Sequence, residues 1–158
     1  MQPLLFEAGA ALFDCQGFEY SIAFLLFYVS RLGAPDLSQS RTISILDHEE
    51  KLTAGGLLRL LKKHAKPSQD LEDILIEGLK ARNILIHRYF MENIERLPTQ
   101  EGSDALIREV RLLRSKVQKA EKALDPFIKG LASAIDGIHI QELQDQALTK
   151  FFGTPSAT

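Results

Sequence analysis

One stretch of this sequence carries residues able to do chemistry together: Arg82-Asn83-Ile84-Leu85-Ile86-His87-Arg88-Tyr89-Phe90. Histidine titrates near neutrality and can take or give a proton. Arginine is planar and permanently charged, so it holds a pair of anionic oxygens through two parallel hydrogen bonds. Asn83 adds uncharged donors and an acceptor. Five residues at about 100° each put Arg82 and His87 roughly 140° apart on an ideal helix, whereas Asn83 and His87 share a face. Arg82 falls between Leu79 and Ile86 on an apolar stripe, where an unpaired charge is costly. Glu19 is the single charge on another stripe, made by Cys15, Ile22 and Leu26. These two opposite charges are expected to meet. An ion pair that only fixes helix register is the structural alternative.

Other chemistries are excluded by pattern. There is no phosphate-binding glycine loop of P-loop or dinucleotide type. Neither a Gly-x-Ser-x-Gly elbow nor a His-Glu-x-x-His motif occurs. His48, His64, His87 and His139 are spread singly, and no Glu-x-x-His pair of the di-iron type exists. No metal and no cofactor are expected. The one cysteine, Cys15, excludes a disulfide framework and a Cys-rich zinc site. It reads as a buried, inert thiol in a reducing compartment.

Three arginine–histidine pairs have similar spacing: Arg41 to His48, Arg59 to His64, and Arg82 to His87. Only the third has Asn directly after the arginine and a His-x-Tyr, ending in Tyr89. The set Arg82, Asn83, His87, Tyr89 resembles the signature of the HEPN superfamily, in the version found in toxins paired with nucleotidyltransferase antitoxins. That resemblance implies an all-α, antiparallel up-and-down four-helix bundle with a short extra helix. It implies a homodimer that cleaves RNA without a metal, as a toxin or defence component. Arg82, His87 and Asn83 would be catalytic, with Glu19, Tyr89 and Arg88 supporting. The site would lie in a groove at a two-fold axis, where each copy contributes. Tyr89 would match the tyrosine that receives nucleotide from the antitoxin; a buried aromatic is the alternative. Against the enzyme stands a second reading, a non-catalytic HEPN-like nucleotide-binding, dimerisation or adaptor module.

The chemistry the resemblance implies suits these side chains. The neighbouring 2′-hydroxyl is the nucleophile, histidine moves the proton, and arginine meets the charge on the phosphorane oxygens. Arg88 and the cluster Arg59, Lys62, Lys63, His64, Lys66 are candidates for the RNA backbone. The helix dipole alone explains that cluster at a helix C-terminus.

Helical spacing dominates the elements that must position this segment, and strand signals are nearly absent. A first helix is expected from about Pro3 to Leu32, stopped by Gly33-Ala34-Pro35. One face carries Leu5, Ala8, Leu12, Cys15, Ile22 and Leu26; a second carries Phe6, Phe13, Tyr20, Phe24 and Phe27. Two apolar faces want two burial partners, and the aromatic one is the expected dimer surface. A short helix is expected over Thr42 to Leu52. Thr53 caps the next, to His64, where Gly55 and Gly56 weaken the start or permit close approach. The third is expected over Ser68 to Met91. Thr99 caps the fourth, with a seam of Leu106, Val110, Leu113, Val117, Ala120, Leu124, Ile128, Leu131 and Ile135. Pro126 predicts a kink or a restart capped by Asp125, and Asp136-Gly137 a stop. A short amphipathic segment, Gln141 to Phe152, is expected to complete one domain over 1–152, before a disordered tail, 153–158.

The 158 residues are 45% apolar and 25% charged, which suits one globular domain. A formal net charge of −2 excludes a globally basic nucleic-acid binder, so RNA contact must be local. The N-terminus lacks a basic region, and the longest apolar run, Ile22 to Val29, is far short of the about 20 residues of a membrane span. A soluble cytoplasmic protein is expected.

Overall fold

The computed structural model describes residues 2–137. The expected segment over Gln141 to Phe152 and the tail lie outside them. The described residues form only helices and their connections: α1 (Gln2–Arg31), α2 (Gln39–Leu46), α3 (Ala54–Ala65), α4 (Gln69–His87), α5 (Tyr89–Glu92), one 3-10 turn (Ile94–Arg96) and α6 (Gln100–Asp136). Four helices start on a hydroxyl cap. Ser38, Thr53, Ser68 and Thr99 each accept from the amide three residues on. Lys66, in the left-handed region at φ 45°, and then Pro67 separate α3 from α4.

From α3 onward the long helices alternate in direction, as short connections require. α2 takes up one leg, so α6 returns parallel to α1. Glu7 meets Arg111, Asp14 meets Arg114, and Arg31 meets Asp136. α4 runs antiparallel to α6: Glu77 lies against Lys116, while Tyr89 lies against Leu106 and Glu109. A Cβ on Gly78 would fall 2.3 Å from that of Ala120, so glycine is what lets these two helices approach. The core is the common interior of α1, α4 and α6, with Phe18, Ile22, Leu26, Leu75, Val117 and Leu124 sealed from solvent.

Several boundaries differ from expectation. The short helix is Gln39–Leu46 rather than Thr42 to Leu52. The third helix does not run to Met91; it ends at His87, and Arg88 leaves helical geometry at φ −131°. Asn93 donates to the Tyr89 carbonyl and Arg96 pairs with Glu109, which holds the displaced segment against α6. Pro126 neither ends nor restarts α6, which is one helix of 37 residues.

The first face of α1 also differs. From Cys15 onward the expected stripe is buried, but toward the N-terminus burial moves to Leu4, Glu7 and Ala11, while Leu5 and Leu12 face out. A helix apolar nearly all round offers two stripes of equal quality, and the partner chooses. Here α6 offers Arg111 and Arg114, so the stripe carrying Glu7 goes in. Glu19 is thus not the single inward charge. By length and composition alone α1 could cross a bilayer. In this fold Glu7, Asp14 and Glu19 are each met by an arginine of α6 or α4.

Candidate functional site

Glu19 and Arg82 meet as expected. Arg82 Nε donates to Glu19 Oε1 at 2.6 Å. The arginine side chain is 14% exposed and that of the glutamate 27%, so the pair is largely but not wholly desolvated. With Nε spent on Glu19, the fork turns along the helix. Arg82 Nη1 donates to Asn83 Oδ1 at 3.1 Å and lies 3.2 Å from His87 Nε2.

The last contact overturns the expectation that Arg82 and His87 converge poorly within one helix. The 140° separation applies to Cα–Cβ directions. An arginine side chain is long enough to bend toward the C-terminal end of α4, where the last residue, His87, has no following turn in its way. One protomer therefore brings both groups together. A guanidinium has no acceptor, so the contact uses an unprotonated Nε2 and leaves the imidazole proton on Nδ1. Arg82 Nη2 has no hydrogen-bond partner among the described residues, so it can still donate.

The group opens onto a depression of about 770 Å³ between α4 and the start of α3. Arg88 and Lys80 line it, with Leu52, Thr53 and Gly55 opposite. Lys80 is paired with Glu77. Arg88 is exposed and has no ion-pair partner among the described residues. The Thr53 hydroxyl caps the Gly56 amide, which leaves the amides of Ala54 and Gly55 without helical partners at the positive end of α3. Sequence pattern does not place this helix start in the site, although Thr53, Gly55 and Gly56 signal a capped start that permits close approach. The Arg41–Glu50 ion pair, bonded through both Nε and Nη2, anchors the connector that carries Leu52 and Thr53.

Tyr89 does not face this depression. Its ring is buried, and its hydroxyl donates to Glu109 Oε2 at 2.8 Å. Burial, then the Glu109 carboxylate, pushes its pKa above the usual phenol range. The helix break at Arg88 sends His87 and Tyr89 to opposite sides: one to solvent, one into the α4–α6 seam. The buried-aromatic alternative describes Tyr89 here.

The other two arginine–histidine spacings assemble nothing similar. Arg41 is committed to Glu50, not His48. Arg59 and His64 share no hydrogen bond among the described residues, and the His64 Nε2 is buried without a partner. Cys15 is buried and inert, its thiol pushed up to about 11 by desolvation. No cluster of three or more metal-ligating side chains occurs among the described residues. Comparison with family models, with curated proteins and with solved structures found no match.

Proposed function

We propose that this chain is a metal-independent endoribonuclease of HEPN type, acting as a toxin or defence component in the cytoplasm. On this reading α1, α3, α4 and α6 are the four main helices of a HEPN-like bundle and α2 is the short extra one. The observation that carries it is the Glu19–Arg82–His87 relay, with Asn83 on the same guanidinium, opening beside the unsatisfied amides of α3.

The chemistry follows from the donors. A scissile phosphate lies between Arg82 Nη2, Arg88 and the start of α3. His87 Nε2 exchanges its Arg82 contact for the 2′-hydroxyl and takes its proton. The 2′-oxygen attacks phosphorus, the P–O5′ bond breaks, and the leaving oxygen is protonated by a second acid, the partner copy's imidazole or water. Arg82 bears the charge that grows on the phosphorane oxygens. The products are a 2′,3′-cyclic phosphate and a 5′-hydroxyl end.

The second copy docks on the N-terminal half of α1. Phe6 is 74% exposed and Phe13 75%, with Leu5 and Leu12 beside them. Apolar area of that kind is costly in water, and a two-fold axis brings identical patches together. A nucleotidyltransferase-type antitoxin would have to lift α5 from α6 before it reached the Tyr89 hydroxyl. The competing reading, a non-catalytic nucleotide-binding or adaptor module, draws on the same ion pair as a helix brace.

The test is cleavage of a mixed RNA by purified protein, with product ends mapped. Wild type is expected to leave 2′,3′-cyclic phosphates. His87→Ala should lose at least about 10²-fold in rate with its melting temperature unchanged. Inert wild-type protein, or a His87→Ala variant as active as wild type, overturns the reading.

A further inference from the structure

Glu19, Arg82 and Leu52 each belong to two depressions, not one. The first is the open site described above. The second, of about 680 Å³, lies on the α1 side of the ion pair. Its floor is apolar and buried: Ala23 of α1, Ile45 of α2 and Leu57 of α3. Its rim is polar, with Gln16 on α1 and His48 and Glu50 on the α2–α3 connector. At its edge stands Tyr20, 53% exposed. The Tyr20 ring stacks on Phe24 at 6.1 Å and 16°, and Phe24 on Phe27 at 6.2 Å and 25°. This aromatic ladder ends in a solvent-facing ring that lines the same depression as Arg82.

We infer that this second depression is a nucleobase subsite, in which Tyr20 stacks on one base of the single-stranded RNA whose phosphate lies across Arg82. The inference rests on the nuclease reading for its substrate and extends it to residues that reading does not use. Three features carry it. Stacking on an aromatic face is how single-stranded nucleic acid is held without regard to sequence, and Tyr20 extends an existing stack. The shared wall of Glu19 and Arg82 puts an apolar-floored depression, roomy enough for a base, next to the one proposed for the phosphate, which is the layout of a nucleotide. The rim carries Gln16, which can both donate and accept, and His48, so the edge of a base entering the depression meets hydrogen-bonding groups. Phe13, two turns before Tyr20, bounds the N-terminal end of this depression, so the second copy on the N-terminal half of α1 adjoins the subsite.

The test uses full-length protein and a short 2′-O-methyl RNA, which cannot be cleaved, carrying one 2-aminopurine. Wild type is expected to bind it with quenched fluorescence. Tyr20→Ala should weaken binding about tenfold, and Tyr20→Phe, which keeps the ring, should bind as wild type. Melting temperature and light scattering are followed for all three. Unchanged affinity in Tyr20→Ala overturns the subsite. So does a changed oligomeric state in that variant, which would make Tyr20 a subunit contact. Failure here is separable from failure of the nuclease reading. His87-dependent cleavage indifferent to Tyr20 leaves the enzyme without this subsite. Tyr20-dependent binding by a protein that cleaves nothing leaves the subsite without the enzyme.

Discussion

The carboxylates of α1 are tied to neighbouring helices in two ion-pair groups built from the same residue types. Near its N-terminus, Glu7 and Asp14 face Arg111 and Arg114 of α6. Near its middle, Glu19 faces Arg82 of α4. In the first group two carboxylates meet two guanidinia. Arg114 spans Glu7 and Asp14, and Gln118 adds a further bond to Asp14. Arg111, then Arg114, hold the Glu7 carboxyl below its ordinary value. That group is balanced in charge: each carboxylate is bonded by an arginine, and no titratable base shares the guanidinia. The second group is open. One carboxylate meets an arginine that also reaches a histidine and an asparagine and keeps an unused nitrogen toward a depression. Arg88 stands nearby with no acid of its own. The lesson is that buried charge alone does not mark a site; a paired charge that also reaches a titratable base at the wall of a depression does.

The largest effect expected from this contrast is on catalysis. His87→Ala should abolish cleavage without unfolding the protein. Arg114→Ala should do the reverse, lowering stability by about 3 kcal/mol because Asp14 and part of Glu7 are left unpaired, with unchanged cleavage per folded molecule. Chemical denaturation alongside single-turnover cleavage reads both. Loss of activity in folded Arg114→Ala would erase the distinction between the two groups.

A smaller effect belongs to Glu19. Glu19→Gln keeps a hydrogen-bond acceptor for Arg82 Nε but removes the charge. Cleavage should fall about tenfold, and the melting temperature should fall less than in Arg114→Ala, because the amide keeps the hydrogen bond to Arg82 Nε and no cavity opens. A fall in stability as large as that of Arg114→Ala would make Glu19–Arg82 a brace like the other.

The smallest effects are those of pH. The Glu7 carboxyl is lowered in the fold, so its contribution is present above the unfolded value of 4.5 and is lost as pH falls through the folded value. Glu121 of α6 is the opposite case. Burial, then nearby Asp14 and Asp125, raise its pKa, so it favours the fold at low pH and that advantage is lost as pH rises above 4.5. Glu121→Gln should raise the melting temperature at pH 7 by about 2 °C and leave it unchanged near pH 4. Glu7→Gln should lower it at pH 7 and flatten its fall in acid. Thermal melts across pH 3–8 check both signs.

Much of the helical layout was legible before any coordinates. Thr53 and Thr99 announced their helices, Gly137 ended the last one, and the seam through Leu106, Val110, Val117 and Leu124 is the buried stripe of α6. The meeting of Glu19 and Arg82 followed from two opposite charges on apolar stripes. Glu7 was missed because its stripe and that of Leu5 and Leu12 are equally apolar. The end of α4 was missed because the residues that hold the next segment, Glu109 above all, are distant in sequence. The convergence of Arg82 and His87 was underrated because Cβ directions say little about where a long guanidinium reaches.

The sequence by itself determined an all-helical chain, where most of its helices begin, and which charges had to find partners inward. Those are local matters, set by apolar period, capping hydroxyls and the cost of a lone buried charge. Only the tertiary structure decided which face of α1 went inside, that the start of α3 lies across from Arg82 and His87, and that Tyr89 turns away from both. These depend on what α6 and α3 bring from far along the chain, and a contact between distant segments leaves no periodic trace in either one.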